Sequence, residues 1–333
     1  MGKMNKKGIF FTFIAITIMA IFILVYTPQA DITLQKDNKA VELRINTLDN
    51  YVSDLEQGYF ETALRATTHK TILSLIAYMD NQGVFLTDFD SAFSEVMIKG
   101  TINGVPIDTI TGEKIMENST LTNWSNSLIE TAEDTFNVNT TISLNNVSVR
   151  QTRPWHLDSS LGMDFAIKSK VADWDRKNVT ITTTVSIEGF EDPYYLVNTN
   201  GAYKNEILKT GVKFNKWNIT ALREHLRNST YVHWQNSDAP DFLMRFTNTI
   251  EKSSCCGIES LVNPNKLSAS DQTESYIDYL FWTNTYNTQC SLLYNISKPP
   301  PSGALWDEFR FFKLDINNTI RYNITDDDAV RTC

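Results

Sequence analysis

The sequence predicts an α+β fold held outside a membrane by one N-terminal helix, and three observations predict it. Ile9 to Tyr26, IFFTFIAITIMAIFILVY, is an 18-residue run without a charge. From Val41 to Ile76 apolar residues recur at alternating spacings of four and three. Between Ile142 and Ile187 the period falls to two. These patterns belong to a membrane span, an amphipathic helix and half-buried antiparallel strands. The expected order is an N-terminal transmembrane helix continuing to a long amphipathic helix, an antiparallel β-sheet domain, then a smaller β-rich disulfide-containing module. In residue terms the divisions are 1–8 for a cytoplasmic leader, 9–27 for the transmembrane helix, 28–82 for a stalk or spine helix, 83–200 for an α+β extracellular domain and 201–333 for the β-rich module.

The apolar run contains only Thr12 and Thr17 as clearly polar residues, and their hydroxyls can bond back to the helix backbone. At 1.5 Å per residue it is about 27 Å long, close to the hydrocarbon thickness of a bilayer. Lipid offers no partner to a backbone N–H or C=O, so the run is helical. Lys3, Lys6 and Lys7 precede it, and a basic flank stays in the cytoplasm. The rest is then extracellular, on a single-pass anchor. A cleaved signal peptide has an apolar core of about 7–15 residues and a small-x-small site. This run is longer, and Pro28-Gln29-Ala30 is a poor site.

Val41, Ile45, Leu48, Val52, Leu55, Tyr59, Thr62, Ala66, His69, Leu73 and Ile76 form the narrow seam of a helix that Gly83 ends. Such a helix either lies along its own domain as a spine or associates with copies of itself as a stalk. Gly100, Gly104, Pro106 and Gly112 mark turns, and Asp88-x-Asp90 lacks the third acidic ligand and the glycine of a calcium loop. Leu121, Trp124, Leu128, Ala132 and Phe136 share one face of a second helix. Ile142 and Leu144, then Met163, Phe165 and Ile167, then Val179, Ile181, Val185 and Ile187 alternate with polar neighbours as strands. Helices first and strands second, without βαβ alternation, give α+β. Farther on, Tyr231–Trp234, Tyr276–Trp282, Leu305–Leu314 and Thr319–Ile324 are short strand candidates. Lys298–Gly303 is a Pro-rich connector, and Asp326, Asp327 and Asp328 form a solvated run.

The 333 residues carry a formal charge of −9, about −12 without the three leading lysines. That acidity argues against nucleic acid as a partner. Ten Asn-x-Ser/Thr sequons begin at Asn118, Asn123, Asn139, Asn146, Asn178, Asn218, Asn228, Asn295, Asn317 and Asn323, with none before Asn118. They are candidates for N-glycosylation of an exposed surface. Four cysteines, Cys255, Cys256, Cys290 and Cys333, lie late and outside the span, an even number that suggests two disulfides. Neighbouring Cα atoms are only about 3.8 Å apart, short of the usual disulfide range. Cys255 and Cys256 are therefore expected to reach Cys290 and Cys333 rather than each other.

No catalytic constellation is legible. His69, His156, His225 and His233 have no metal spacing, and no nucleophile elbow, H-E-x-x-H, phosphate loop or dinucleotide fingerprint occurs. Glu188 with Asp192 and Asp307 with Glu308 are carboxylate pairs of a kind common in an acidic chain. Trp234, Tyr279, Trp282 and Trp306 are able to stack on sugar rings, though core packing is the commoner employment. No cofactor, metal or catalytic residue is expected.

Lys6-Lys7-Gly8-Ile9-Phe10-Phe11 resembles the leader of archaeal type IV pilin-like proteins. In that family a membrane peptidase cuts after the glycine, so the resemblance implies cleavage between Gly8 and Ile9 with the helix retained. Phe13 stands where the best-known pilin pattern has glutamate, the fifth residue after Gly8. Residues 187–201, 238–245, 257–263 and 276–280 resemble stretches of uncharacterised archaeal membrane-anchored surface proteins, a likeness that carries no activity. The expectation is a membrane-anchored extracellular surface glycoprotein with a structural or adhesive, pilin-like role. Its partners would be the membrane, copies of itself or other envelope proteins. The alternative is a ligand- or carbohydrate-binding ectodomain without catalysis.

Overall fold

The computed structural model describes residues 38–107, 114–267, 274–282, 293–296, 311–325 and 327–331. The apolar run and the Gly8–Ile9 junction lie outside them, and no helix among the described residues is long and apolar enough to cross a membrane. The chain is mixed α+β with antiparallel sheets. It divides into two compact units. The first holds the described residues up to Tyr59 with Ile129–Thr141 and Phe165–Arg176; the second holds Phe60–Leu128, Ile142–Asp164 and the described residues from Lys177 onward.

In the first unit helix α1 (38–54) runs into a π-helical turn, Leu55–Tyr59. Leu48, Val52 and Leu55 are buried at the expected spacing. Trp174 donates its indole N–H to Asp49 at 3.2 Å, Arg176 pairs with Glu56 at 2.7 Å, and the Tyr51 ring lies 4.6 Å from that of Phe136. Arg44 donates to the Phe136 carbonyl.

In the second unit helix α2 (Phe60–Gln82) packs against α3 (Phe89–Lys99) and α5 (Pro193–Asn198). The heptad seam fails here. Thr62, Ala66, His69 and Leu73 are exposed, whereas Phe60, Ala63, Leu64, Thr67, Thr71, Leu75 and Met79 are buried. A π turn inserts one residue into the helical count, which puts Phe60, Ala63 and Thr67 on the buried face in place of Tyr59, Thr62 and Ala66, while Ile76 of the expected seam stays buried. Gly58, within that turn, is a weak helix former at the point of insertion. Gly83 ends α2 in the left-handed region, φ 64°, donating to the Met79 carbonyl at 2.8 Å.

Asp88 is the N-cap of α3, and Glu95 accepts from Thr101, Asn103 and Gly104 to hold the hairpin of β1 (Thr101–Ile102) and β2 (Val105–Pro106). Helix α4 (Leu121–Phe136) buries Leu121, Leu128 and Ala132 as expected. The period-two region forms β3 (Asn139–Arg153), β4 (His156–Lys168) and β5 (Asp173–Ser186), in the order β3-β4-β5. Central β4 alternates without a break, burying Leu157, Ser159, Leu161, Met163, Phe165 and Ile167. On its other face Gly162 makes room for a neighbour, since a Cβ there would lie 2.0 Å from Asn146 Oδ1.

The last third departs from the strand reading. Its described strands are two or three residues long: β6 (Tyr231–Val232) pairs with β7 (Glu259–Ser260), and β8 (Leu293–Asn295) lies between β9 (Lys313–Asp315) and β10 (Val330–Arg331). Within 276–282 the chain is helical, α7 (Asp278–Phe281), and 319–324 falls on α8 (Ile316–Arg321) and its exit. Asp315 starts α8 by accepting from the Asn317 and Asn318 amides, both at 3.1 Å, a local cap that outweighs weak alternation. The Pro-rich connector lies outside the described residues.

Candidate functional site

A cleft in the second unit is built on one closed excursion of the chain. Lys209 bridges Tyr231, and the Thr210 amide donates to the Tyr231 carbonyl at 2.8 Å, so residues 209 and 231 are tied together. Between them the chain makes a strap, 210–216, ending in a single 3-10 turn, Phe214–Lys216. Buried Trp217 anchors the next step, and helix α6 (Ile219–Asn228) returns to the start. Asn218 caps α6, its Oδ1 accepting from the Ala221 amide at 3.0 Å. Ser229 closes the other end in the left-handed region, φ 51°. Strap and helix enclose a cleft of about 660 Å³, with Lys213, Lys216, Asn218, Glu224, Asn228 and Thr230 among its lining.

His225 lies in its wall but is buried. Its Nδ1 is 2.6 Å from Thr230 Oγ1, and its ring meets Trp217 edge-on at 5.3 Å. Burial lowers its pKa to about 3, which keeps the imidazole neutral near pH 7. Trp217, Trp234 and Tyr322 form an aromatic core, with centroids 4.9–5.5 Å apart, around the Glu259 carboxyl. Oε1 of Glu259 accepts from Trp234 Nε1 at 2.9 Å and from Tyr322 OH at 3.0 Å. Oε2 has no partner among the described residues. Burial raises this pKa to about 8 against the pull of Arg321, so Glu259 is mostly a neutral acid at pH 7.

Deeper still, Arg245 is enclosed between two carboxylates. Its Nη1 lies 2.6 Å from Asp192 Oδ2 and 2.8 Å from Asp278 Oδ2, with all three side chains fully buried. Asp192 caps α5 through the Tyr194 amide and accepts from Tyr231 OH at 2.7 Å. Asp278 accepts from the amide and hydroxyl of Ser260, whose Oγ is 2.9 Å from Tyr195 OH. Burial raises the Asp192 pKa, Arg245 opposes that and Asp278 reinforces it. Burial also works against the Arg245 charge, but the two carboxylates outweigh it. Closed to solvent, this network ties distant segments together.

The disulfide expectation needs correction. Cys255 bonds to Cys256 itself, their Cα atoms 3.7 Å apart, so neither reaches Cys290 or Cys333, which lie outside the described residues. A ring closed through a single peptide bond needs no distant segment to be brought up, and loop-closure entropy favours it over long loops. Cys255 is exposed and Cys256 buried. The next residue, Gly257, presses on a neighbouring backbone, since a Cβ there would stand 2.1 Å from the Ala239 carbonyl oxygen.

Of the sequon asparagines, Asn118, Asn139, Asn146, Asn178, Asn218, Asn228, Asn317 and Asn323 are exposed, and Asn123 and Asn295 are half-buried. Trp234 and Tyr279 are core residues, Trp282 is half-buried against Tyr195, and Trp306 lies outside the described residues. Glu188 is exposed while Asp192 faces Arg245, so they form no pair; Asp307 and Glu308 lie outside the described residues. Asp88 serves as a cap. Among the described residues no group of three His, Cys, Asp or Glu is placed to hold a metal ion. The sequence reading missed Arg245, Asp278 and Glu259. The signal was a charge set among apolar neighbours in Phe242-Leu243-Met244-Arg245-Phe246, Ile277-Asp278-Tyr279-Leu280 and Ile258-Glu259-Ser260-Leu261.

In comparisons with known proteins, the chain matches no family model, no curated protein and no solved structure.

Proposed function

We propose that the protein is a membrane-anchored extracellular surface glycoprotein with a structural or adhesive role and a pilin-like start. The observation that carries this reading is the placement of the sequons: eight of the ten asparagines are exposed, on turns, strands and helix ends, in both compact units. The uncharged run behind Lys3, Lys6 and Lys7 supports the anchor. The N-terminal residue of protein extracted from native membranes, read by mass spectrometry, tests it. A start at Ile9 supports leader processing and an assembling subunit, and an intact Met1 or Gly2 supports a lone anchored ectodomain. A diffusible native form starting near Asp31 overturns the reading.

A second reading, a non-catalytic carbohydrate-binding ectodomain, is favoured by the polar cleft beside α6. Burial of Trp234 and Tyr279 removes two of the stacking surfaces it would use. Titration of the deglycosylated protein with soluble oligosaccharides tests it; saturable binding that K213A and K216A abolish moves it ahead.

A further inference from the structure

We propose that the cleft beside α6 is the seat of the chain's own N-linked glycan, attached at Asn218. The inference rests on the glycoprotein reading above and assigns both the sequon and the surface the sugar lies on.

Asn218 and Asn228 stand at the two ends of a ten-residue helix, about 15 Å apart, and both line the cleft. Their chemistry separates them. In Asn218-Ile219-Thr220 the carboxamide Oδ1 is held by the Ala221 amide, which orients the group and leaves Nδ2 for modification. Glycosyl transfer from a sugar-phosphate donor forms an Nδ2–C1 bond. One proton leaves Nδ2, and the donor's C1–O bond breaks with the phosphate carrying away the electron pair. Oδ1 stays an acceptor throughout, so the cap survives. Thr220 is exposed and also lines the cleft. In Asn228-Ser229-Thr230 the threonine hydroxyl lies 2.6 Å from His225, and the Ser229 hydroxyl is engaged by Tyr203 and Lys266. That sequon is tied into the fold.

The lining suits a hydroxylated ligand. Ala221 leaves space beside the helix, while Lys213, Lys216, Thr210 and Glu224 offer donors and acceptors at the walls. No aromatic face other than the buried His225 ring lines the cleft, and an apolar occupant would find little to replace its lost water. A sugar fixed at the helix start brings its hydroxyls to these groups without the entropic cost of capture from solution.

The test uses the full chain from its native host, by glycopeptide mass spectrometry and amide hydrogen exchange. T220A removes the sequon and keeps the Asn218 cap; N218S removes the acceptor nitrogen and keeps a capping oxygen. The expected result is an occupied Asn218 in the parent, lost in both variants, with exchange over 210–216 faster by about tenfold. T180A, at the sequon of Asn178 outside the cleft, should leave 210–216 unchanged. An unmodified Asn218 beside occupied sequons elsewhere overturns the inference and leaves the glycoprotein reading standing. Bare sequons throughout overturn both. An occupied Asn218 whose loss leaves 210–216 unchanged means that the sugar projects into solvent, and the seat is wrong.

Discussion

Asp192 Oδ2 and Arg245 Nη1 lie 2.6 Å apart with neither side chain exposed, and Asp278 completes the arrangement from the other side at 2.8 Å. One guanidinium thus stands against two carboxylates in a site closed to the surface. Removing it leaves both acids buried and unpaired. R245M should lower unfolding free energy by about 3–5 kcal/mol, measured by denaturant titration. A loss below about 1 kcal/mol would mean that the acids find other partners or protonate at little cost.

Glu259 makes stability depend on pH in an unusual direction. Its folded pKa, about 8, lies above the ordinary carboxylate value of 4.5, so the folded state holds a proton that the unfolded state releases. The contribution is complete below pH 4.5 and is lost as pH rises toward 8, by at most about 1.4 kcal/mol per unit. E259Q keeps the oxygen that accepts from Trp234 and Tyr322 and removes the titration. Its melting temperature relative to the parent should climb steadily between pH 5 and 8; a constant difference contradicts this account. His225 acts oppositely: its folded pKa of about 3 lies below 6.5, so its contribution fades as pH falls through that interval.

Two glycines should respond differently to the same change. G257A drives a Cβ into the Ala239 carbonyl and should cost roughly 3 kcal/mol, the upper part of the range for overpacking. G211A meets nothing within 4 Å and should stay within about 0.5 kcal/mol of the parent. Equal effects in thermal denaturation would refute the close approach at Gly257.

Thr67, Thr68 and Thr71 on α2 are buried, and their hydroxyls have no partner among the described residues. T71V keeps the shape and removes a desolvated oxygen. It should stabilise the protein by about 1 kcal/mol, seen as a higher denaturant midpoint. A lower midpoint would reveal a bound water supplying the missing hydrogen bond.

What the sequence discloses follows from how local each determinant is. The alternation of Met163, Phe165 and Ile167 requires only its own strand, and it survives within a longer β4 that extends it back to Leu157. The caps at Asp88 and Asn218 are equally local in cause, yet in sequence Asp88 reads as an incomplete calcium loop and Asn218 as a sequon. The seam through Thr62, Ala66 and His69 is lost because one inserted residue at 55–59 turns them off the buried face, although Ile76 farther on stays buried, and the heptad pattern carries no mark of the insertion. Arg245, Asp192 and Asp278 are separated by 53 and 33 residues. Only the tertiary fold brings them together. Cys255 and Cys256 mislead in the opposite way, because the bond is the most local one possible.

Strands β3 and β5 are both outer strands of their sheet, 15 and 14 residues long. Rows of unsatisfied amides and carbonyls on such strands are templates for fibrous growth and indiscriminate stacking of neighbouring molecules. Sequons Asn139 and Asn146 fall on β3 and Asn178 on β5, whereas central β4 contains no asparagine at all. Gly162 clears a place for Asn146 on that surface. Carbohydrate at these three positions would act as a bumper along both flanks, keeping the sheets of neighbouring copies from fusing. Any ordered assembly would then have to proceed through faces the sugars leave bare.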